Sequence, residues 1–224
     1  MGKKAVVLLS GGLDSATVLA EAKAAQYDLF ALTVDYGQRH RREIDCAKAQ
    51  TKAQKAVEHR IVRLELPAKD SSVLTGGGEV PAYEPRKDVP PTYVPARNTI
   101  LLAMALSWAE SLGAEDIFIG ATAVDYSGYP DCRKAFIDAF ETIANVGTKA
   151  AMQEGKTFRI HAPLLRMGKG EIIARGAQLG VDMARTNSCY DPDELGRACG
   201  RCDSCGLRLK GFKQAGLTDP LEYA

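Results

Sequence analysis

The chain has 224 residues, of which 46% are hydrophobic, and its 29 Lys and Arg against 28 Asp and Glu leave a formal net charge of +1. This composition supports one core with at most a small appendage and excludes a disordered chain, while the absence of a basic excess argues against a dedicated nucleic-acid binder. Apolar runs such as residues 5–9 are too short to cross a bilayer, and residues 1–4 lack the apolar core of a secretory signal, so we expect a cytoplasmic protein with no membrane partner.

Strand and helix patterns alternate along most of the chain, which is typical of an α/β fold with a doubly wound, mainly parallel sheet. Residues 5–9 form a short β-branched and aliphatic run, as expected of a central strand that helices cover on both faces. Further strands are predicted at 29–34, 59–66, 116–120 and 158–163, and helices at 14–26, 39–57, 99–111, 133–146, 169–179 and 207–214.

Residues 67–98 interrupt this alternation with a run of three glycines and several prolines. Compact domains rarely keep so long a loop without regular structure unless it serves a function. We therefore expect a substrate lid, a partner-contacting arm, or both. The chain is predicted to consist of an α/β domain at 1–181, which contains this insertion, and a cysteine-rich segment at 182–224 that belongs to the same globule.

A loop with two glycines follows the first predicted strand and opens a helix, and it reads Ser10-Gly11-Gly12-Leu13-Asp14-Ser15. Its backbone N–H groups and the positive end of the helix dipole converge on one point, which predicts a phosphate site. The glycines admit positive φ and a close approach of the anion, and the hydroxyls of Ser10 and Ser15 add donors. Asp14 is placed to cap the helix or to hold Mg²⁺. The alternative is an ordinary strand-to-helix turn.

This loop resembles the Ser-Gly-Gly-x-Asp-Ser pyrophosphate loop of the N-type ATP pyrophosphatases. Three further strings narrow the resemblance: Val34-Asp35-Tyr36-Gly37-Gln38-Arg39-His40, Tyr93-Val94-Pro95-Ala96-Arg97-Asn98 and Ala123-Val124-Asp125-Tyr126-Ser127-Gly128-Tyr129-Pro130-Asp131-Cys132-Arg133. Together with the loop and a group of cysteines near the end, they are similar over nearly the whole chain to the 7-cyano-7-deazaguanine synthases. Ala96 departs from the Gly that this family more often carries before Arg-Asn.

The resemblance implies an adenine nucleotide α-hydrolase-like, Rossmann-like fold and an ATP-dependent C–N ligase of queuosine precursor biosynthesis. Such an enzyme converts 7-carboxy-7-deazaguanine and ammonia into the nitrile. A carboxylate is a poor electrophile, so a nucleotide first activates its oxygen, ammonia then gives an amide, and dehydration of the amide needs a second activation. We therefore expect two ATP per nitrile with AMP and pyrophosphate as products, although the family's reaction is often written with ADP and phosphate. A homodimer is also implied.

Site roles follow from the resemblance by position. The loop, Ser10 to Ser15, would hold the triphosphate with Mg²⁺, and Asp35, at the carboxyl end of the second strand, would lie beside the adenosine. The candidate catalytic residues are Asp14, Ser15, Arg97 and Lys169, and the candidate substrate contacts are Asn98, Asp125, Tyr126, Asp131 and Arg133. The alternatives are a surface ion pair for Arg97, a helix N-cap for Asn98, a solvated Lys169, and a plain Asp-Gly-Pro turn packed by tyrosines for residues 125–131.

Four of the six cysteines lie close together near the end of the chain, namely Cys189, Cys199, Cys202 and Cys205. A turn that runs into a helix aims thiols at three-residue spacing toward one ion, and four thiolates fill a tetrahedral Zn²⁺ shell with no open position. We therefore expect one structural zinc per chain. Two alternatives are a tRNA-thiolating enzyme of the same loop superfamily with a cysteine-bound iron–sulfur cluster, and a zinc-containing nucleic-acid-binding module.

Overall fold

The computed structural model describes residues 2–38, 42–66, 69–84, 88–123 and 129–224. Within those residues the strands are β1 (Lys3–Leu8), β2 (Tyr27–Asp35), β3 (Glu58–Arg63), β4 (Asp116–Phe118) and β5 (Arg159–His161). The helices are α1 (Leu13–Ala24), α2 (Arg42–Gln54), α3 (Arg97–Leu112), α4 (Lys134–Gly147), α5 (Lys149–Glu154), α6 (Lys169–Gln178) and α7 (Asp203–Ala215). All strand pairs are parallel, in the order β3-β2-β1-β4-β5. The order reverses at β1, so the predicted doubly wound α/β fold is confirmed.

The core lies on both faces of the sheet because the side chains of β1 alternate between them. Ala5 and Val7 pack with residues of α1, α6 and α7 on one face. Val6 and Leu8 pack with residues of α3 and α4 on the other. All four side chains are buried, which explains why this strand is apolar throughout instead of alternating with polar residues.

Two helices begin two or more residues earlier than predicted. α3 begins at Arg97, two residues ahead of the prediction, and its N-cap is Ala96, so the alternative that made Asn98 the N-cap is wrong. Ala96 has φ 53° and ψ 21°, a left-handed conformation that favours glycine, which gives a physical reason for the Gly that the resembled family carries there. α7 begins at Asp203 and therefore includes Cys205.

The short helix α5 was not predicted. The chain leaves α4 at Thr148, which has extended φ and ψ, and the Thr148 side chain accepts a hydrogen bond from the Ala151 N–H at the start of α5. A threonine cap that restarts a helix is a local feature. The sequence pattern does not indicate α5, because the apolar pattern of α4 ends at residue 146.

The insertion packs on the molecule where it is described, at 69–84 and 88–96. Leu74 and Val94 form a small buried cluster with Leu66 just beyond β3. Val80 packs among the cysteines near the end of the chain, and Ala82 forms an isolated antiparallel bridge with Cys202. The insertion therefore contacts both the sheet end and the C-terminal segment, and its role as a lid or an arm stays a prediction.

The C-terminal segment lies against the α/β body. The Asn187 N–H donates to the Gly11 carbonyl at 3.1 Å, and α7 crosses α6 so closely that a Cβ at Gly211 would stand 2.5 Å from Lys169 Cγ. Arg208 of α7 forms a buried ion pair with Asp219 at 2.8 Å. The division of the chain at residue 181 stays a prediction. In the part of the chain described, every helix is too short or too polar to span a membrane.

A buried charge network lies at the amino ends of β1 and β4, at the opposite edge of the sheet from the loop. The Asp116 side chain is 1% exposed and accepts hydrogen bonds from His161 Nε2 at 2.6 Å and from the Tyr27 hydroxyl at 3.1 Å. Its second oxygen lies 2.8 Å from Lys3 Nζ. Burial alone would raise the pKa of Asp116, but the bonds from His161 and Lys3 outweigh it and hold the pKa below its ordinary value.

We expect Asp116→Asn to lower the free energy of unfolding by about 2 kcal/mol at neutral pH, because an amide replaces a carboxylate in charge-assisted hydrogen bonds. A depressed pKa in the folded state stabilises the fold above the unfolded pKa of about 3.9, and this stabilisation is lost as the pH falls through the folded-state value. Urea unfolding at a series of acidic pH values should therefore show that the difference in free energy of unfolding between variant and parent becomes smaller as the pH falls. The exposed pair Lys134–Asp138 supplies a control, since Asp138→Asn should cost little. A gap that stays constant in acid contradicts the assignment.

Candidate functional site

A cavity of about 300 Å³ opens at the carboxyl ends of the central strands. Its floor includes Leu9, Val34 and Ile119, which lie at or just beyond the ends of β1, β2 and β4. Ligands of open α/β sheets bind at this edge, beside the point where the strand order reverses. The volume is at the small end of the range for small-molecule sites.

Most of the residues predicted to bind nucleotide or to act in catalysis meet in this cavity, together with one predicted substrate contact, Asn98. Those that line it are Ser10, Gly12, Leu13, Asp14, Ser15, Arg97, Asn98 and Lys169. Gly11, Asp35, Asp131 and Arg133 do not line it, although each lies beside a residue that does. Asp125 and Tyr126 lie outside the described residues.

Gly11 gives the loop its shape. Its φ is 95°, and a Cβ there would stand 1.9 Å from the Glu43 carbonyl oxygen, because the first turn of α2 packs directly on the loop. Gly12 has an ordinary φ of −76° and serves as the N-cap of α1 without any side-chain cap. The left-handed backbone is therefore needed at Gly11 alone. Because no side chain caps α1, the N–H groups of its first turn can donate hydrogen bonds to a ligand at the cavity floor.

The two serine hydroxyls hold the loop from within. Ser15 Oγ accepts from the N–H groups of Ser10 and Gly11, both at 3.2 Å, and donates to the Gly12 carbonyl at 3.0 Å. Ser10 Oγ accepts from the Gly12 N–H at 3.2 Å and lies 3.1 Å from Ser15 Oγ. This differs from the expectation that both hydroxyls add donors for a phosphate. The hydroxyls instead hold the loop in shape, and the donors for a phosphate are the N–H groups at the start of α1.

An ion pair joins the starts of two helices at one side of the cavity. Lys169 Nζ lies 2.7 Å from both carboxylate oxygens of Asp14. The Lys169 side chain is 14% exposed, so the alternative of a solvated lysine is wrong. Asp14 does not cap α1, which has no side-chain cap. The positive ends of α1 and α6 and one ammonium group therefore converge where a polyanion would bind.

Arg97 lies among tyrosines at another wall of the cavity. Arg97 Nη1 donates to the Tyr36 hydroxyl at 3.2 Å, and its guanidinium lies 5.9 Å from the centre of that ring. Tyr129 and Tyr190 line the same cavity, and burial raises the pKa of both phenols. Both stay neutral and able to donate hydrogen bonds. A cation with aromatic faces around it suits a flat ring that carries a negative group.

Asn98 and Asp131 bond to each other. The Asn98 backbone N–H donates to Asp131 Oδ2 and its side-chain amide to the Asp131 carbonyl, both at 3.1 Å. Asp131 is buried and thus holds the first turn of α3. Burial and the nearby Asp131 raise the pKa of Cys132 to about 11, so Cys132 is a neutral thiol. Arg133 is exposed, at the N-cap of α4.

The four C-terminal cysteines form one cluster in which every sulfur lies within 4.8 Å of the others. Zn–S bonds of about 2.3 Å in a tetrahedron place sulfurs about 3.8 Å apart, and Cys199 Sγ lies 4.0 Å from Cys205 Sγ. Backbone N–H groups of Tyr190, Asp191, Cys199, Arg201 and Cys202 point at the sulfurs, at 3.2–3.5 Å. Such bonds favour thiolates, and the donor set fits a closed four-sulfur metal centre.

Sequence reasoning missed several residues of the cavity wall. Tyr36 belongs to a string that was identified, and Tyr190 directly follows Cys189, so position alone could have indicated both. Glu43 also lines the cavity, from the first turn of α2. Nothing in the neighbouring sequence marks Glu43, because its place depends on the packing of α2 against the loop.

A doubly wound parallel sheet with an uncapped helix start in its cavity is the architecture of a nucleotide-binding α/β enzyme. A model of the family "Queuosine biosynthesis protein QueC" matches residues 4–216. The chain belongs to this family of queuosine biosynthesis proteins.

Individual relatives match over nearly their whole lengths. The 7-cyano-7-deazaguanine synthase of Geotalea uraniireducens (strain Rf4) is 56% identical over 225 residues, covering 100% of this chain and 98% of that protein. The synthase of Thiobacillus denitrificans (strain ATCC 25259 / T1) is 58% identical over 220 residues, covering 98% of both. The resemblance inferred from the sequence is thereby confirmed, and with it the assignment to queuosine precursor biosynthesis as an enzyme of this family.

Proposed function

We propose that this chain is itself a 7-cyano-7-deazaguanine synthase, which uses ATP to convert 7-carboxy-7-deazaguanine and ammonia into the nitrile through an activated acid and an amide. The observation that carries the proposal is that one cavity joins an anion-binding helix start with a wall of Arg97 and tyrosines. The first suits a nucleotide tail and the second an acid on a purine-like ring. The identity to synthases over the whole chain supports the same substrates.

At the nucleotide end, the N–H groups at the start of α1 and the Lys169 ammonium hold the phosphates. Asp14 would hold Mg²⁺, which neutralises phosphate charge when it is bound. Lys169 lies 2.7 Å from Asp14, so the two side chains already share the place where phosphates and metal would meet. Asp35, at the end of β2, is proposed to lie beside the adenosine, because its neighbours Val34 and Tyr36 line the cavity.

At the substrate end, Arg97 pairs with the carboxylate and orients it toward the nucleotide. Tyr36, Tyr129 and Tyr190 offer ring faces and phenol donors for the deazaguanine. Asn98 reaches the cavity from the first turn of α3. The proposed further contacts to the ring are Asp125, Tyr126, Asp131 and Arg133, of which Asp131 acts through its hold on Asn98.

The reaction needs two activations of oxygen. In the first, a carboxylate oxygen attacks a phosphorus of ATP, and the phosphate tail leaves. Ammonia then displaces the nucleotide to form the amide. In the second, the amide oxygen is activated in the same way, and loss of the nucleotide with the remaining protons of the nitrogen gives the nitrile. The loop preorganises donors for the charge that develops on phosphate in both halves.

The cysteine cluster is proposed to hold one structural zinc. All four positions of the ion would be filled by Cys189, Cys199, Cys202 and Cys205, so it would take no part in the chemistry. It would instead fix the segment that brings Tyr190 to the cavity. Family membership favours this reading over a tRNA-thiolating enzyme and over a nucleic-acid-binding module. We also propose a cytoplasmic homodimer that acts on small molecules, with neither nucleic acid nor membrane as a partner.

Incubation of the protein with ATP, ammonium and 7-carboxy-7-deazaguanine is expected to give the nitrile, identified by mass spectrometry of the base. Phosphorus NMR should show two AMP and two pyrophosphate per nitrile, because each oxygen is activated once. Without ammonium, neither amide nor nitrile should form. A base that ATP leaves unchanged contradicts the proposed function, and ADP with phosphate contradicts the proposed site of attack on ATP.

A further inference from the structure

The proposed reaction must remove protons from the substrate nitrogen, and none of the residue roles proposed above provides a proton acceptor for this step. Ammonia carries three hydrogens and the nitrile nitrogen carries none. One proton leaves when the amide forms, and two leave when the amide becomes the nitrile. Each loss is faster with a proton acceptor beside the nitrogen, and such acceptors typically contribute about 10²–10⁴-fold in rate.

Three carboxylates line the cavity within the described ranges of the chain: Asp14, Glu43 and Asp203. Asp14 is held by the Lys169 ammonium at 2.7 Å from both of its oxygens. Asp203 directly follows Cys202 at the start of α7 and belongs to the segment that the cysteine cluster organises. Glu43 differs from both, since among the described residues no hydrogen bond or ion pair engages its carboxylate.

Glu43 is fixed in place by its backbone. Its carbonyl packs on Gly11, where a Cβ would stand only 1.9 Å away, so the first turn of α2 and the loop form one rigid corner. Glu43 lines the cavity from that corner, and Arg97 lines the same cavity. Burial raises the pKa of Glu43 to about 7, and the nearby Arg97 opposes that rise. A carboxylate with this pKa accepts a proton and releases it again near neutral pH.

We propose that Glu43 is the catalytic base that removes protons from the substrate nitrogen. This inference rests on the proposed function. In the first half, the ammonia lone pair forms the C–N bond while the C–O bond to the nucleotide breaks, and its electron pair leaves on the nucleotide. One N–H proton passes to Glu43, which releases it to solvent. In the second half, Glu43 takes an N–H proton of the activated amide, the C–O bond breaks toward the nucleotide, and the last proton leaves by the same route.

Several other titratable groups share the cavity and would act on Glu43 in any pH profile. They are Asp14 of α1, Tyr36 after β2, Arg97 of α3, Tyr129, Cys132, Lys169 of α6, Cys189, Tyr190, and Asp203 and Arg208 of α7. Among them, the positive charge of Arg97 lowers the pKa of Glu43 and so opposes the effect of burial. Replacement of Glu43 removes one titration while leaving these groups in place.

The test compares Glu43→Gln, which keeps the shape and loses the base, with Asp45→Asn as a matched control. Asp45 also lies in the first turn of α2, but its side chain is 73% exposed. The substitution Asp45→Asn therefore removes a carboxylate from the same helix start without changing the cavity. Nitrile formation is measured at a constant concentration of free ammonia, so that the titration of ammonium does not contribute. Glu43→Gln should lose about 10²–10⁴-fold and also the acidic limb of the profile. Asp45→Asn should match the parent.

Hydroxylamine distinguishes a catalytic base from a residue that only maintains the structure of the site. A structural defect would reduce hydroxamate and nitrile formation together. Hydroxylamine captures an activated acid as a hydroxamate without help from an enzyme base, because it is a strong nucleophile and a weak base. Glu43→Gln should therefore still form hydroxamate with ATP at a rate within about twofold of the parent, and Glu43→Asp should recover part of the nitrile activity. Parallel loss of hydroxamate and nitrile overturns the inference, as does nitrile formation at the parental rate. A parent that makes hydroxamate but no nitrile overturns the proposed function instead, and this inference with it.

Discussion

Gly11→Ala is expected to abolish nitrile formation and to lower the free energy of unfolding by about 2–5 kcal/mol, more than any other single change in the loop. Two costs add. The new Cβ would stand 1.9 Å from the Glu43 carbonyl and 2.9 Å from the Ala47 N–H nitrogen, and neither backbone atom can rotate away. The backbone must also hold φ at 95°, which an alanine resists.

The two costs can be separated with a second glycine. Gly155 also has positive φ, 69°, but nothing lies within 4 Å of the position its Cβ would take. Gly155→Ala should therefore show the backbone cost alone, about 1–2 kcal/mol, with unchanged activity. Chemical denaturation gives the stability of both variants, and calorimetric titration with ATP gives binding. Tight ATP binding by Gly11→Ala would show that the loop does not hold the nucleotide.

The loop could be predicted from the sequence because its information is local. A buried strand, two glycines and a helix start follow each other within a few residues, and the direction of a helix dipole needs no tertiary structure. The cysteine cluster was predicted for the same reason, since the spacing of thiols on a turn and a helix fixes their geometry. Its fourth member, Cys189, followed from proximity in sequence.

What could not be predicted depends on packing between distant segments. Glu43 lines the cavity because α2 packs on Gly11, and Lys169 meets Asp14 across 155 residues of chain. The serine hydroxyls turned inward because each loop N–H takes the nearest acceptor, a choice among local partners that the motif leaves open. Likewise Asp131 bonds to Asn98 because a short 3₁₀ turn at Pro130–Cys132 brings Asp131 to the start of α3.

Loss of the metal proposed at the cysteine cluster is expected to have the largest effect on stability. Few apolar side chains pack around the cysteines, and the buried aliphatic ones are Val80 of the insertion and Ala198 of the C-terminal segment. So small a cluster cannot hold four thiolates together against their mutual repulsion. Structural zinc sites in small domains contribute about 10–16 kcal/mol of apparent binding free energy, and much of it is folding free energy.

Cys202→Ser should therefore yield protein without bound metal and lower the free energy of unfolding by about 5 kcal/mol or more. Cys202 is fully buried, and its sulfur accepts from the Tyr190 N–H at 3.4 Å, so the change also releases the tyrosine that lines the cavity. Metal content by plasma mass spectrometry and thermal unfolding with and without a chelator measure both effects. Cys46→Ser, which alters a thiol of α2 outside the cluster, should keep the metal and lose about 1 kcal/mol or less.

The identity of the metal separates a structural centre from a redox one. Zinc has no visible absorption and no redox chemistry, so a purified protein with zinc should be colourless, and oxidation should act only on its thiolates. Iron with absorption in the visible range would contradict the zinc proposal and favour the cysteine-bound iron–sulfur alternative. Metal-free protein that unfolds at the parental temperature would contradict both, because four sulfurs within 4.8 Å would then be held by packing alone.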